Sequence, residues 1–396
     1  MLFLWGDMMK VKLGDIGVIL TGNTPKTSDE KNYISKDINF IKPSDIDEDK
    51  ITDISTSDYF ISELAKNDAR ILPVGSILVT CIGIIGKVGI NSIECAFNQQ
   101  INAIIPDTRK CNNKFLAYAI QFKKNELQQL ANAPVVPILN KTQFSNIQIC
   151  LPLIEEQNKV VANLDIINEI INKRQQQLKK LDELVKSRFI EMFGDPYFNF
   201  RKWNVVLIKD ICVLLKSGLS RKLSGVDIGI PVIRSININE GQFDSTDLKY
   251  WYICDPQGAN IKDYLLNDGD LLINFINSQS QIGKCCIYKD IGRPCIYTTN
   301  ILRMILKNEC NKFYFNYLAQ TKFYKQKINI IMQPAVNQAS FTTTNFLKIE
   351  IPLPPLNLQN EFADFVKQTD KSKLEIQKSL DKLEILKKSL MQQYFG

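Results

Sequence analysis

The amino-acid sequence predicts a mixed α/β (α+β) protein: two globular domains in pseudo-two-fold repeat, separated by two long antiparallel coiled-coil helices. The first observation behind this prediction is an internal repeat. Residues 152–194 recur as residues 354–396 without a gap, so that the pair Gln157-Asn158 meets Gln359-Asn360 in the same register. A period of that length is too long for a solenoid, so we expect two copies of one large unit.

The second observation is the spacing of apolar residues inside the repeated stretch. They recur at steps of three and four, which is typical of a coiled-coil seam, although two unrelated solvated helices are the alternative. Gly194 followed by Pro196 predicts where the first helix stops, so each helix spans roughly 55–60 Å. The predicted seam consists of Val160, Leu164, Ile167, Ile171, Leu178, Leu181 and Val185 in the first helix, and of Phe362, Val366, Ile376, Leu380, Leu383 and Leu390 in the second.

The direction of the two helices follows from how the chain connects them. Residues 195–352 join the end of the first helix to the start of the second. A domain of that size has a radius of gyration of about 15 Å, too small to span the whole helix comfortably. Antiparallel packing places the two ends side by side, and we therefore expect that arrangement.

The third observation is a repeated order of motifs outside the helices. Residues 41–43 (Ile-Lys-Pro) are matched by residues 233–235 (Ile-Arg-Ser), and residues 85–87 (Ile-Gly-Lys) by residues 282–284. The offset between such pairs changes along the chain, as expected for related domains with divergent loops. We predict a first domain over residues 1–151, a first helix over 152–194, a second domain over 195–352 and a second helix over 353–396.

Several kinds of active site are disfavoured by the composition. The chain has no histidine, and its ten cysteines form no CxxC motif, so we expect no metal site and no cofactor. Residues 195–198 (Asp-Pro-Tyr-Phe) resemble the Asp-Pro-Pro-Tyr motif of amino-methyltransferases, but they lack its second proline and follow a helix stop. The glycine-rich residues 83–89 lack a phosphate-loop ending and favour a β-hairpin instead. We expect no catalysis by this chain alone.

Cellular location is predicted from the same features. The apolar residues 1–5 are too few for a signal peptide or a membrane span, and the cysteine usage favours a reduced compartment. We expect a cytoplasmic protein without a membrane partner.

Charge is distributed unevenly between the two predicted domains. Residues 1–150 carry 16 basic and 16 acidic residues, whereas residues 195–352 carry 19 basic and 13 acidic residues. A net charge of +7 for the whole chain is compatible with nucleic-acid binding. The second domain is expected to make more phosphate contacts than the first.

These features resemble the DNA-specificity (S) subunit of type I restriction-modification systems. The resemblance rests on TGNTPKTSDEKNY (21–33) followed by INFIKPSDI (38–46), on PLIEEQNKVV (152–161) and PLPPLNLQNEF (352–362) before the helices, and on FGDP (193–196) after the first helix. Two departures are Ser217-Gly218-Leu219-Ser220 in place of the Thr-Pro loop, and Leu358 in place of the usual glutamate.

The resemblance implies a non-catalytic subunit whose two target-recognition domains each read one half of a bipartite, asymmetric DNA target. The helices would set the spacer and dock two methylation (M) subunits, which carry S-adenosylmethionine and flip the target adenine. Restriction/translocase (R) subunits and double-stranded DNA are the other implied partners. The alternatives are a coiled-coil scaffold whose end domains bind proteins or glycans, and a stand-alone DNA adenine methyltransferase.

Candidate base-reading residues are loop residues with bidentate or hydroxyl chemistry, because Arg and Lys suit guanine whereas Asn and Gln suit adenine. In the first domain they are Thr24, Lys26, Lys42, Ser44, Lys87, Gln99 and Asn140; Lys87 is expected to meet DNA phosphate. In the second domain they are Ser220, Arg221, Lys222, Arg234, Gln279, Lys284, Thr299 and Gln338. For each of them an ordinary solvated polar side chain is the competing interpretation.

Overall fold

A computed structural model describes residues 10–131, 136–334 and 338–396, and the apolar residues 1–5 lie outside this range. The chain forms two compact units. The first unit contains residues 1–175 and 378–396, and the second contains residues 176–377. Each unit therefore combines one globular part with segments of both long helices.

The first unit contains eleven strands within its described residues. They are β1 (Lys10–Lys12), β2 (Gly17–Thr21), β3 (Ile38–Ile41), β4 (Thr52–Ile54), β5 (Phe60–Ile61), β6 (Ile71–Leu72), β7 (Ile77–Thr80), β8 (Val88–Asn91), β9 (Cys95–Phe97), β10 (Ile101–Pro106) and β11 (Gln148–Cys150). Its helices are α1 (Asn113–Phe122), α2 (Lys124–Leu130) and α3 (Lys141–Ser145), followed by the start of the long helix α4 (Ile154–Phe193).

The strands of the first unit form three sheets. The five-stranded sheet has the order β2-β10-β7-β8-β4, the four-stranded sheet has the order β5-β3-β9-β6, and β1 pairs with β11. Strands β7 and β8 form an antiparallel hairpin whose turn contains residues 83–87, in agreement with the hairpin predicted there. Strand β7 is buried along its whole length because α1 covers one face of its sheet and the β3-β9 sheet lies on the other.

The second unit repeats this architecture. Its strands are β12 (Asn204–Leu207), β13 (Cys212–Ser217), β14 (Ile230–Ile233), β15 (Ile238–Asn239), β16 (Gln242–Phe243), β17 (Lys249–Trp251), β18 (Leu271–Asn274), β19 (Ile276–Asn277), β20 (Cys285–Ile287), β21 (Ile296–Tyr297), β22 (Ile301–Leu306), β23 (Gln333–Pro334), β24 (Ala339–Ser340) and β25 (Glu350–Leu353). Its helices are α5 (Ile208–Ile211), α6 (Lys312–Leu318), α7 (Lys322–Ile331), α8 (Thr343–Leu347) and the start of α9 (Leu356–Phe395).

The equivalence of the two units extends to strand order and strand direction. The sheet β13-β22-β18-β20 corresponds to β2-β10-β7-β8, and β12-β25 corresponds to β1-β11. Strand β3 runs parallel to β9, and β14 runs parallel to β21 in the same way. The motif order repeated in the sequence therefore encodes a repeated fold.

The two long helices run antiparallel within each unit. In the first unit, Asn163 of α4 donates to the hydroxyl of Tyr394 of α9 (3.2 Å). In the second unit, Arg188 of α4 pairs with Glu361 of α9 (3.1 Å), and Asp182 pairs with Lys373 (2.6 Å). Residue numbers rise along one helix as they fall along the other, as the chain connection requires.

The predicted seam residues lie on the packed side of these helices. Val160, Leu164, Ile167, Ile171, Val185, Phe362, Val366 and Leu380 are buried, and Leu178, Leu181, Ile376, Leu383 and Leu390 are half-buried. The seam prediction omitted the aromatic ends of both helices. Phe395 packs against the ring of Phe115 (5.2 Å between centroids), and Phe193 packs against that of Tyr314 (5.0 Å). The end of one helix thus completes a globular core in each unit.

A buried glutamine fastens the start of α4 to the first globular part. Gln157 has no exposed surface; its Oε1 accepts from the Asn112 backbone N–H (2.8 Å), and its Nε2 donates to the carbonyls of Lys110 (3.0 Å) and Pro152 (2.8 Å). Asn112 is the N-cap of α1, and its side chain also bonds Asn158. We call Gln157 with its partners the glutamine clamp of the first unit.

The second unit has the same clamp at the repeated position. Gln359 accepts from the Asn311 N–H (2.8 Å) and donates to the carbonyls of Glu309 (3.2 Å) and Pro354 (2.7 Å). Asn311 is the N-cap of α6, and its side chain bonds Asn360 (2.8 Å). The Gln-Asn pair that marks the sequence repeat is therefore the link between each long helix and a capped helix of its unit.

Replacing Gln157 with leucine is expected to lower the free energy of unfolding by about 2–4 kcal/mol. The apolar side chain leaves one N–H and two carbonyls in part-buried positions without their partner, each costing about 1–3 kcal/mol when buried and less where water can reach it. Urea unfolding of Q157L, Q359L and the exposed-site control Q176A measures this. A Q157L protein as stable as Q176A would contradict a clamping role.

Candidate nucleic-acid interface

Three loops of the first unit meet where strands β2, β3 and β9 end. We name them loop A (residues 22–27), loop B (42–46) and loop C (98–100). The Asn23 N–H donates to the carbonyl of Phe97 (3.0 Å), and the Asn98 N–H donates to that of Ile41 (3.1 Å). A Cβ on Gly22 would lie 2.0 Å from the carbonyl oxygen of Asn98, so only glycine fits without movement. We call this arrangement the three-loop junction.

The second unit contains the same junction, built from loop A (218–223), loop B (234–237) and loop C (298–300). The Leu219 N–H donates to the carbonyl of Tyr297 (2.8 Å), and the Thr298 N–H donates to that of Ile233 (3.0 Å). A Cβ on Gly218 would lie 2.0 Å from the Tyr297 carbonyl oxygen. Backbone bonds hold both junctions together, which leaves the loop side chains free to differ.

The junction of the second unit opens into a groove of about 350 Å³, which we call the loop groove. Hydroxyl groups and two guanidinium groups dominate its walls. It is lined by Leu219, Ser220, Arg221, Arg234, Ser235, Ile236, Thr298, Thr299 and Asn300. Four of the candidate base-reading residues are thus brought together, from three loops that lie up to 80 positions apart in the sequence.

Arg221 is held by a buried carboxylate. Its guanidinium contacts both oxygens of Asp255 (Nε to Oδ1, 3.1 Å), and the Asp255 side chain has no exposed surface. The Arg221 hydrogen bond, aided by backbone N–H groups, holds the pKa of Asp255 well below its usual range. Arg221 also donates to the Ser220 carbonyl (2.6 Å), so it fixes the shape of loop A beside the groove.

Loop B is held in the same way in both units. The Lys42 N–H donates to the Asp45 carboxylate (2.8 Å), and the Lys42 ammonium lies 3.3 Å from the centroid of the Tyr59 ring. The Arg234 N–H donates to Asn237 (2.8 Å), and its guanidinium pairs with Asp247 (2.8 Å). Each basic side chain is therefore oriented by a partner of its own unit.

The candidates of the first unit are also close to its junction. Thr24 of loop A donates its hydroxyl to the amide oxygen of Gln99 of loop C (2.6 Å), and both side chains are exposed. Ser44 on loop B and Lys26 on loop A are exposed as well. Lys87 is different, because its ammonium donates to the carbonyls of Pro43 (3.2 Å) and Ile46 (3.0 Å). The residue expected to meet DNA phosphate is placed beneath loop B, which it supports.

The remaining candidates lie outside the lining of the loop groove. Asn140 is the N-cap of α3, where its side chain accepts from the Gln143 N–H (2.9 Å). Lys222 is exposed on loop A, and Lys284 lines a small cavity with Lys186 and Lys325. Gln279 and Gln338 are exposed beside β19 and β24.

A pair of larger grooves lies where each globular part meets the long helices. Junction groove 1 encloses about 810 Å³ in the first unit, and junction groove 2 encloses about 700 Å³ in the second. They are lined by equivalent residues: Gly75, Ile90, Tyr118 and Gln175 in the first, and Gly269, Ile287, Tyr317 and Gln377 in the second.

Each of these grooves is lined by a tyrosine of its globular part. The Tyr118 hydroxyl donates to Asp165 (2.7 Å) and accepts from Asn168 (2.8 Å). Burial, followed by the Asp165 contact, raises the pKa of Tyr118; burial also raises that of Tyr317. Both phenols therefore stay neutral, and that of Tyr118 acts as a hydrogen-bonding group.

Seven of the ten cysteines are buried, whereas Cys150 and Cys212 are half-buried and Cys254 is exposed. Burial raises the pKa of Cys81 to about 11 and that of Cys111 to about 12, so both are neutral thiols. Among the described residues, no group of three or more His, Cys, Asp or Glu side chains is arranged to hold a metal ion. Across the same residues, no helix has the length and apolar character needed to cross a membrane.

Comparison with known proteins identifies the class to which this fold belongs. Residues 6–180 and 201–386 each match the family model of the type I restriction modification DNA specificity domain. The chain belongs to this family of DNA-specificity components, which recognise DNA sequence and do not carry out catalysis. The predicted family and fold class are confirmed, and the scaffold and methyltransferase alternatives are set aside.

Curated relatives carry the same description. The chain is 32% identical over 194 residues to the putative type I restriction enzyme MjaX specificity subunit of Methanocaldococcus jannaschii, a match spanning 49% of this chain and 45% of that relative. It is 26% identical over 330 residues to the MjaVIII specificity subunit of the same organism, covering 78% and 73%. The EcoKI specificity subunit of Escherichia coli is 20% identical over 375 residues, covering 89% and 80%.

Solved structures share the fold over the full chain. The type I restriction-modification S subunit from M. genitalium matches with a TM-score of 0.57 at 14% identity, covering 100% of this chain and 98% of that one. A chain from a study of complex assembly and conformational transition in a type I restriction-modification system matches with a TM-score of 0.60 at 15% identity, covering 98% and 97%.

Replacing Gly218 with alanine is expected to lower the free energy of unfolding by about 2–3 kcal/mol, because the new methyl group overlaps the Tyr297 carbonyl. Gly225 in the following segment is the matched control, since its Cβ would meet only the Lys249 ammonium at 3.4 Å. G225A should therefore change stability by less than about 0.5 kcal/mol. Equal melting temperatures for G218A and G225A would contradict the packing of the three-loop junction.

Proposed function

We propose that this chain reads a bipartite, asymmetric DNA target, with one half-site recognised by each globular unit. The observation that carries the proposal is the three-loop junction, which occurs twice on one backbone frame with different side chains. Thr24 and Gln99 face solvent in the first unit, where Ser220 and Thr299 stand in the second. Different hydrogen-bonding groups at equivalent places favour different bases, so the two half-sites differ.

Electrostatics support contact of these loops with DNA. The second unit gains affinity for phosphates from the excess of basic residues over 195–352. Within the loop groove, Arg221 and Arg234 are oriented by Asp255 and Asp247, which lowers the entropy cost of binding. Lys87 acts indirectly in the first unit by holding loop B in shape.

The long helices act as the spacer and as the docking site for two methylation subunits. Junction grooves 1 and 2 support this role, because equivalent grooves on two repeats suit two copies of one partner. Restriction/translocase subunits complete the assembly, which acts on DNA in the cytoplasm. The chain supplies target choice, and the methylation subunits supply S-adenosylmethionine and flip the target adenine.

Lengthening both helices tests the spacer role. Seven residues inserted after Leu178 and seven after Leu380 keep the heptad seam and extend the helix pair by roughly 10 Å. The unread spacer should then grow by about three base pairs while both half-sites stay the same, as measured by methylome sequencing.

The control for this experiment carries the same seven residues in the exposed turn after Gly292, away from the helices. Its spacer should be unchanged. If the variant with lengthened helices is active and its spacer is also unchanged, the helices do not set the spacer length.

The fragment of residues 1–194 is expected to form a homodimer. The core of the first unit includes Met391 and Phe395, and the repeat-equivalent residues of the fragment are Phe189 and Phe193. A second copy of the fragment can supply these two aromatic residues to the first. With methylation subunits, the dimer should prefer a symmetric target.

Light scattering with circular dichroism decides this outcome. The paired variant F189A/F193A removes the donated side chains and should shift the fragment toward monomer. A wild-type fragment that is monomeric while its long helix remains folded would count against the equivalence of the two helices.

A further inference from the structure

A three-stranded ribbon of the second unit is bonded at its base to loop C. It consists of β19 with the turn that follows it, the central strand β24, and β23 on the other side of β24. Ser340 of β24 lies between Ile276 of β19 and Gln333 of β23. We call residues 276–281, 333–334 and 338–340 the amide ribbon. The exposed side chains on it include Gln279, Gln333 and Gln338.

The amide ribbon is continuous with the loop groove. The N–H groups of Phe275 and Ile276 donate to the carbonyl of Asn300 (3.1 and 3.4 Å), and Asn300 lines the groove as part of loop C. The ring of Phe275 packs near that of Phe341 (6.1 Å between centroids), and Phe341 is buried. The base of the ribbon is therefore anchored in the core and bonded to loop C, and the polar turn lies at the other end of the ribbon.

The corresponding turn of the first unit is shorter and apolar. The closing hydrogen bonds are equivalent: Thr80 N–H to the Lys87 carbonyl (3.1 Å) in the first unit, and Asn274 N–H to the Lys284 carbonyl (2.9 Å) in the second. Six residues lie between Thr80 and Lys87 in the first unit, and nine lie between Asn274 and Lys284 in the second. In the first unit's turn, Ile84 is exposed and Ile82 forms a β-bridge with Ile138.

The tip of the amide ribbon keeps its shape without using its glutamine side chains. Backbone bonds from Gln281 and Ile282 to the Ser278 carbonyl (2.9 and 3.0 Å) close the turn, and the hydroxyls of Ser278 and Ser280 lie 3.3 Å apart. An exposed amide on a preformed turn is available for a ligand with an adjacent donor and acceptor. In the major groove of DNA, adenine offers that pair through its N6 donor and its N7 acceptor. The major groove is also wide enough to admit a two-stranded β-ribbon.

We propose that the amide ribbon enters the major groove and reads at least one adenine of the second half-site through Gln279 or Gln338. The second half-site then extends beyond the base pairs reached from the loop groove. This inference rests on the proposed function, because it requires that the loop groove faces DNA.

The test uses the full chain in complex with its methylation subunits and a duplex carrying the target found by methylome sequencing. Each adenine of the second half-site, except the methylated one, is replaced in turn by 7-deazaadenine, which lacks the N7 acceptor. At one position the wild-type complex should bind about ten-fold more weakly, as expected for loss of a bidentate base contact. The double variant Q279A/Q338A should bind the unmodified duplex about ten-fold more weakly and lose no further affinity at that position.

Q326A is the matched control, because Gln326 is an exposed amide on α7 of the same unit and lies outside the ribbon and the loop groove. Its complex should keep the wild-type response to every 7-deazaadenine. A second variant replaces residues 277–281 with Gly-Ile, the length of the first unit's turn, and should accept any base at the affected position in the methylome.

Two results overturn the inference. One is a Q279A/Q338A complex with wild-type affinity and an unchanged target. The other is a double variant that remains as sensitive as the wild type to every 7-deazaadenine. In both cases the wild-type complex still recognises a bipartite target, so the proposed function stands. A wild-type complex that recognises no bipartite target overturns both proposals.

Discussion

The glutamine clamp is the contact on which the geometry of each unit depends. A long helix joined to a globular part by a short connection is free to pivot unless its first turn is fixed. The buried side chains of Gln157 and Gln359 fix that turn by each bonding one N–H and two carbonyls. Because a buried polar group without a partner is costly, the clamp resists opening as well as sliding. A helix whose first turn is fixed in this way keeps a constant orientation relative to its globular part.

The three-loop junction divides its two tasks between backbone and side chains. Its cohesion comes from main-chain hydrogen bonds and from a close backbone approach at Gly22 and Gly218. Chemical identity comes from the side chains that point away from it. The buried Arg221–Asp255 pair belongs to the second unit, where it stiffens a loop A that lacks proline. Each unit thus reaches a similar loop arrangement by its own local means.

The helices and the repeat could be predicted from the sequence because their determinants are local. A heptad pattern and a gapless repeat need no knowledge of distant contacts. The roles of Gln157 and Gln359 could not be predicted, although both stood out in the repeat, because two of the three partners of each lie 45 to 50 residues earlier in the chain.

The candidate site was predictable to a smaller extent for the same reason. The choice of Ser220, Arg221, Arg234 and Thr299 located residues of one groove, but their clustering depends on three loops meeting in space. Lys87 shows the limit of residue type as a guide, since a lysine suited to phosphate is engaged with the carbonyls of Pro43 and Ile46. Of the amide ribbon, only Gln279 and Gln338 were among the predicted base-reading residues. The ribbon itself could not be predicted, because the pairing of β19 with β24 joins residues about 60 positions apart.

The division of the chain into one continuous and one discontinuous unit has a consequence for synthesis. The second unit is built from residues 176–377 in one run, whereas the first needs residues 378–396 in addition to residues 1–175. At 5–20 residues per second, the ribosome takes roughly 10–40 s to make the second unit. During that interval Phe115 lacks Phe395, which is its aromatic neighbour in the completed core. The unit whose translation begins first is therefore the last to be completed.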